Sequence, residues 1–423
     1  MNESVQRPRS LSSASVAVDN IPIRRVRGIS SANTIAHGVL KARRFLPLYC
    51  SPAIIFVINW ALMLCSLRAQ ITYVTYPSLG VPILLGCLSM GSFFLGYLVS
   101  RSLFHRLPGD DQPIAYALDI TRVWNLNLLL CCVALLIVAF NWITLGPPPA
   151  LGDPTSYLTY GRFKQILFPL LVSIVVNATL DSSPRRVALF ALFGITGLGL
   201  YVSRGLLMVA FLQVFFVFSL RTSLSRRTLH AIVFGFLLFA VAAATVIGNV
   251  RTSQGVFLEY LQIRHRYAGW PTAYLWVASY ISIPFSNLCW FFARAGFHSP
   301  TLAFLYPLLP SFLMPAYPHA EIQQDMRIID GASTYLAGYA LDFSYLGVYM
   351  ANLALGFGCG WFVERVIPKQ ILIAAILLAC LSFIFFSDMF LPLSTIIQLM
   401  IQGAVMKRCF RFAGDRNGQV VTQ

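Results

Sequence analysis

From Val123 to Leu145 the chain runs without a single charged side chain. At 1.5 Å per residue such a run reaches across the roughly 30 Å of bilayer hydrocarbon. Runs of this kind recur along the chain and constrain the fold more than any other feature. In lipid, every backbone N–H and C=O must be paired within the protein, so only helices and closed barrels span a membrane. The apolar residues here are continuous rather than alternating, which points to helices and not to barrel strands. Hydrophobic residues make up 57% of the chain and charged residues only 11%, with a mean hydropathy of +0.72. That composition belongs to membrane proteins.

Ten candidate spans follow, at 46–67, 75–100, 123–145, 164–180, 187–203, 205–220, 230–248, 343–363, 371–387 and 390–406. Pro82, Pro169 and Pro392 should kink their helices or mark their ends. The expected fold is an all-α integral membrane protein, a polytopic helical bundle of about 10 (range 10–12) transmembrane helices with one large external loop. Residues 1–45 read as a flexible basic tail, 46–248 as an N-terminal bundle of about seven spans and 249–342 as a large, partly re-entrant loop. Residues 343–406 supply about three further spans and 407–423 a second tail. An organelle transit peptide shares the basic, acid-poor character of the first tail.

The net charge of +16 raises nucleic acid as a partner. The basic residues, however, fall in short clusters between apolar runs, as the setting of membrane orientation requires, and this argues against nucleic-acid binding. With both termini inside, 22 of the 31 lysines and arginines lie on the cytoplasmic side. A single crossing by Thr272–Phe292 would weaken that asymmetry, so this apolar run is expected to dip in and return, or to cross as a pair with 299–317. The nine cysteines lie mostly inside apolar runs, with no spacing that suggests a disulfide framework or a zinc site.

The long interruption, Gly248 to Asp342, carries most of the polar chemistry. Loops of this length are uncommon unless functional or disordered, and this one is too aromatic for disorder. Four arginines stand at or beyond membrane edges. Arg204 sits in Tyr201-Val202-Ser203-Arg204-Gly205 between two apolar runs, where a charge facing lipid is costly; snorkelling to head groups is the bland alternative. Arg251 follows Gly248-Asn249-Val250, and Arg264-His265-Arg266 lies beyond it near Tyr267 and Trp270. Planar guanidinium groups suit diphosphate oxygens through paired hydrogen bonds. Arg266 has Glu259 seven residues back as an ordinary helical partner. Asp342 opens a span, where a helix N-cap is its simplest role. Glu321, Asp325 and His319 give only a weak metal signal, so neither metal nor cofactor is expected.

The segments Tyr-Val-Ser-Arg-Gly at 201–205 and Gly-Asn-Val-Arg at 248–251 stand before the long loop. Thr334-Tyr335 and Tyr339-Ala340-Leu341-Asp342-Phe343-Ser344 close it. Together these resemble the bacterial O-antigen or oligosaccharide repeat-unit polymerases. The family often shows Asp-Phe-Gly where this chain has Asp342-Phe343-Ser344, and serine lacks glycine's freedom at positive φ. A glycine eleven residues after the arginine, found in some members, is absent here: Gln262 follows Arg251 at that distance and Leu275 follows Arg264.

The resemblance implies a metal-independent glycosyl transfer at the outer face of the bacterial inner membrane, with N- and C-termini cytoplasmic. Undecaprenyl-diphosphate-linked glycans would be the substrates, the bilayer the surroundings and a chain-length regulator an allowed partner. Such chemistry needs positive charge at the diphosphate and a base at the acceptor hydroxyl. Arg204, Arg251, Arg264 and Arg266 are the candidates for the first. Asp342, His265 and Asp330, with Glu321, are candidates for the second. Tyr335 and Tyr339, with Tyr267 and Trp270, are candidates for stacking on sugar, though interfacial aromatic belts give the same enrichment. An O-antigen ligase, a lipid-linked oligosaccharide flippase and a purely structural membrane subunit stay open as alternatives.

Overall fold

In the computed structural model the described residues are 37–41, 47–69, 80–104, 115–154, 156, 160, 163–221, 226–251, 263–294, 303–308, 334–366, 370–385 and 389–412. All belong to one unit, Ala36–Gln423. Its helices are α1 (Pro52–Ala69), α2 (Gly80–Phe104), α3 (Ile120–Leu145), α4 (Lys164–Ala178), α5 (Pro184–Leu200), α6 (Arg204–Arg221), α7 (Arg226–Arg251), α8 (Thr272–Arg294), α9 (Ala337–Trp361), α10 (Ile371–Ser382) and α11 (Leu393–Cys409). Short 3₁₀ turns occupy Leu48–Cys50, His265–Tyr267 and Ala303–Leu308, and a π turn Phe362–Val366 ends α9.

Among the described residues four helices are long and apolar enough to cross a membrane: α2, α3, α6 and α8 over Thr272–Ala293. Three shorter apolar stretches, Pro52–Leu67, Lys164–Ala178 and Ile371–Ser382, accompany them. The chain is thus mostly helical and its apolar helices are those of a membrane protein.

Local chemistry sets several boundaries. Asp119 caps α3 by accepting the Arg122 backbone N–H at 3.1 Å, and Gly146, at φ 87, closes it. Pro184 begins α5, where its missing N–H costs nothing. Pro82 lies in the first turn of α2 and Pro392 directly precedes α11, so both mark ends. Pro169 and Pro284 lie inside α4 and α8.

A small antiparallel sheet, which the apolar pattern did not suggest, gathers one end of the bundle. Its order is β1 (His37–Lys41), β2 (Ala115–Asp119) and β3 (Phe410–Phe412), with His37 opposite Asp119 and Tyr116 opposite Phe412. β2 leads into α3 and β3 follows α11, so the start of one and the finish of the other share this sheet end.

The most extensive helix contact joins α2 and α9, which run parallel. Asn352 Nδ2 donates to Ser89 Oγ at 3.1 Å, Gly356 meets the Phe93 carbonyl and Gly360 meets that of Tyr97, stepping by four along both helices. A Cβ at Gly356 would stand 2.0 Å from the Phe93 oxygen, and one at Gly96 2.1 Å from that of Leu353. Small residues at this spacing let backbones approach where lipid offers no hydrophobic drive. Around the pair, Phe56 stacks on Phe93 at 3.8 Å and Trp60 meets Phe285 edge-on at 5.5 Å.

Candidate active site

Two of the segments singled out in the sequence come together. After α5 the chain turns through Tyr201, Val202 and Ser203; Val202 N–H donates to Gly199 O at 2.9 Å and Ser203 N–H to Leu198 O at 3.1 Å. Val202 has φ 53, a left-handed conformation that a β-branched residue adopts only under strain. Tyr201 anchors the turn. Its ring packs on Tyr160 and Phe168, 5.8 and 5.7 Å between centroids, and its hydroxyl accepts Asn141 Nδ2 at 3.0 Å.

This turn delivers Arg204 to the first position of α6, where it is only 9% exposed. Its guanidinium carbon lies 4.3 Å from the Trp276 ring centroid and 4.6 Å from that of Tyr280, both on α8. The two rings, stacked on each other at 6.0 Å between centroids, attract the cation. Trp276 is held in turn by α7: its Nε1 donates to Asn249 Oδ1 at 3.4 Å, and a Cβ at Gly248 would fall 2.4 Å from the indole. The Tyr201–Gly205 and Gly248–Arg251 segments therefore meet through one tryptophan. Arg251 is the last residue of α7, and its side chain lies outside the described part.

Asp342 departs from its expected role as an N-cap. It is the sixth residue of α9, not the residue before it, and is 3% exposed. One carboxylate oxygen accepts the Phe304 backbone N–H at 3.1 Å, so the carboxylate steadies the start of the Ala303–Leu308 turn instead of its own helix. Two residues on, Ser344 has φ 52 and ψ −137, and α9 breaks there into two helical pieces. The first piece folds back on the second. Tyr339 O would lie 2.0 Å from a Cβ on Gly347, and the Tyr335 hydroxyl donates to Asn352 Oδ1.

Tyr335 and Tyr339 both line a cavity of about 730 Å³ between α9 and α10. Phe304, Phe343 and Gly347 stand at the same end as the tyrosines, and Trp361 and Phe362 at the other. Phe304 stacks on Tyr339 at 5.4 Å, so the residue that Asp342 holds also lines the cavity.

The other expected site residues lie apart. His265 and Arg266 are exposed in the His265–Tyr267 turn, with the Arg266 guanidinium 4.7 Å from the Tyr267 ring; Arg264 precedes the turn, half-buried. Asp330, Glu321, Asp325, His319 and Glu259 fall outside the described residues. Among the described residues no three histidine, cysteine, aspartate or glutamate side chains gather as a metal group.

The Arg204 cluster and the Asp342 cavity are joined by α8. Trp276 serves the first, and Phe292 packs on Tyr345 beside the second at 4.3 Å. Sixteen residues of helix separate those two contacts, roughly 24 Å of axis. Trp276 and Tyr280 escaped the sequence reading because they sit in a run taken as plain apolar; their i,i+4 spacing, which puts both rings on one face, was the available signal. Comparison of the chain with protein-family models, curated proteins and solved structures finds no match.

Proposed function

We propose that the protein is a membrane glycosyltransferase that joins undecaprenyl-diphosphate-linked oligosaccharide repeat units at the outer face of a bacterial inner membrane. The observation that carries this reading is Arg204. A cation 9% exposed at a helix start in an apolar bundle, lying against the neighbouring rings of Trp276 and Tyr280, is a fixed positive charge in a water-poor place. Fixed charges of that kind are worth most where negative charge develops in a reaction.

In the reaction, an acceptor sugar hydroxyl attacks the anomeric carbon of the donor glycan. The bond from that carbon to the diphosphate oxygen breaks, and its electron pair leaves with the diphosphate. Arg204 meets the growing charge on that leaving group. The hydroxyl proton passes to a base beside the same anomeric carbon; Asp342 would serve there only after the Arg204 and Asp342 elements, whose contacts on α8 lie roughly 24 Å apart, close on one substrate. The apolar cavity lined by Tyr335 and Tyr339 suits the isoprenoid chain. Both termini are then cytoplasmic and the chain crosses the membrane about ten times.

The test is polymerisation of purified lipid-linked repeat units by the protein in liposomes, read as a ladder of chain lengths. A ladder that requires the protein supports the reading. Transfer of preformed chains to a lipid A core, with no lengthening, replaces it with a ligase. Movement of substrate between leaflets without any new glycosidic bond replaces it with a transporter.

A further inference from the structure

Far from Arg204, toward the sheet end, five polar side chains lie buried on α4 and on the three helices α3, α6 and α11 that neighbour it. They are Asn127 on α3, Ser173 and Asn177 on α4, Ser219 on α6 and Gln402 on α11, none more than 1% exposed. The side-chain oxygens of all five, and the amide nitrogens of Asn177 and Gln402, have no protein hydrogen-bond partner among the described residues. Their common depth follows from three ties. Arg122 Nη1 donates to Arg408 O at 3.1 Å, Arg221 Nη1 to Thr179 O at 2.6 Å, and Gln213 and Gln398 exchange hydrogen bonds of 3.1 and 2.7 Å. Counting along the helices from these ties places all five residues within about 6 Å of one level, in the half of the bundle nearest the sheet.

Polar groups left unpaired in a membrane interior are too costly to stay dry. The atoms also say what pairs with them. A cation would serve the oxygens and leave two NH₂ groups unmet, whereas water donates and accepts alike. One turn beyond, the Gln213–Gln398 pair satisfies itself and ends the polar column; toward the sheet end stands the half-buried Arg221. We infer that α3, α4, α6 and α11 enclose a water-filled inlet, open at the sheet end and closed at Gln213–Gln398. The inference is independent of the proposed reaction.

Radiolytic footprinting of the wild-type protein in nanodiscs tests it, because hydroxyl radicals made from bound water modify only side chains beside that water. Cys131, one turn from Asn127 on α3, is the reporter, and Cys359 in the apolar cavity is the control; the two are 9% and 8% exposed. Cys131 should be modified several-fold faster than Cys359. Equal rates overturn the inlet. In Asn177→Leu combined with Gln402→Met, the Cys131 rate should fall toward that of Cys359 and the melting temperature should drop by a few degrees. A rise in melting temperature would mean that the amides were dry in the wild type, and it too overturns the inlet.

Discussion

The Tyr335 hydroxyl donates to Asn352 although seventeen residues separate them, Tyr335 standing in the turn before α9 and Asn352 in the middle of that helix. In a straight helix those residues would stand roughly 25 Å apart. The bond exists because the chain reverses at Ser344, so the 337–343 piece lies against the 345–352 piece rather than continuing its axis. This reversal sets Tyr335 and Tyr339 at the cavity and fixes Asp342 against Phe304.

Ser344 is the strained point of that reversal. Its φ of 52 and ψ of −137 belong to a region that glycine enters freely and serine does not. Ser344→Gly should therefore stabilise the protein by about 1 kcal/mol net of glycine's greater unfolded-state entropy. Ser344→Val should destabilise it by more than that. Thermal melting in detergent checks both, and a Ser344→Gly variant that melts lower removes the strain argument.

The α2–α9 contact predicts a sharp difference between two glycines on one helix. Gly356→Ala places a Cβ 2.0 Å from the Phe93 carbonyl, whereas Gly358 has nothing within 4 Å of that position. Separating the two backbones should cost about 1–3 kcal/mol. Gly358→Ala should leave the melting temperature unchanged. Similar melting of the two variants would show that the helices are not packed this closely.

At Arg204 the two neighbouring aromatic rings make shape matter as well as charge. If the proposed reaction holds, Arg204→Ala should lower the polymerisation rate by roughly two to three decades, as loss of one preorganised charge contact does. Trp276→Leu should lose most activity and Trp276→Phe should recover part of it, since phenylalanine keeps a ring face for the cation. Full activity in Trp276→Leu with intact folding would assign the stacking to architecture alone.

Asp342 separates hydrogen bonding from charge. Asp342→Asn keeps an oxygen to accept the Phe304 N–H, while Asp342→Ala leaves that donor without it. The alanine variant should lose about 1–3 kcal/mol of stability and the asparagine variant less. A catalytic carboxylate requires that Asp342→Asn nonetheless be inactive in the liposome assay. Full activity there confines Asp342 to holding the Ala303–Leu308 turn.

The apolar runs by themselves determined that the chain is a helical membrane protein and roughly where most helices lie, because lipid leaves the backbone few alternatives. Arg204 was legible for the same reason: a charge between two spans is conspicuous against its surroundings. The tertiary structure alone decided what surrounds it. Trp276 and Tyr280 look like any aromatic residues of an apolar run until α8 is laid across Gly248 and α6. Asp342 read as a helix cap because sequence position shows only its own chain neighbours. Its partner, Phe304, lies thirty-eight residues away and is brought near by a backbone reversal at Ser344, where the sequence hinted only that the resembling polymerases often place glycine. The same holds for the buried amides of α4 and α11. Each is unremarkable in its own helix, and only packing puts them at one depth, since which faces of a wholly apolar helix meet is settled by shape and not by pattern.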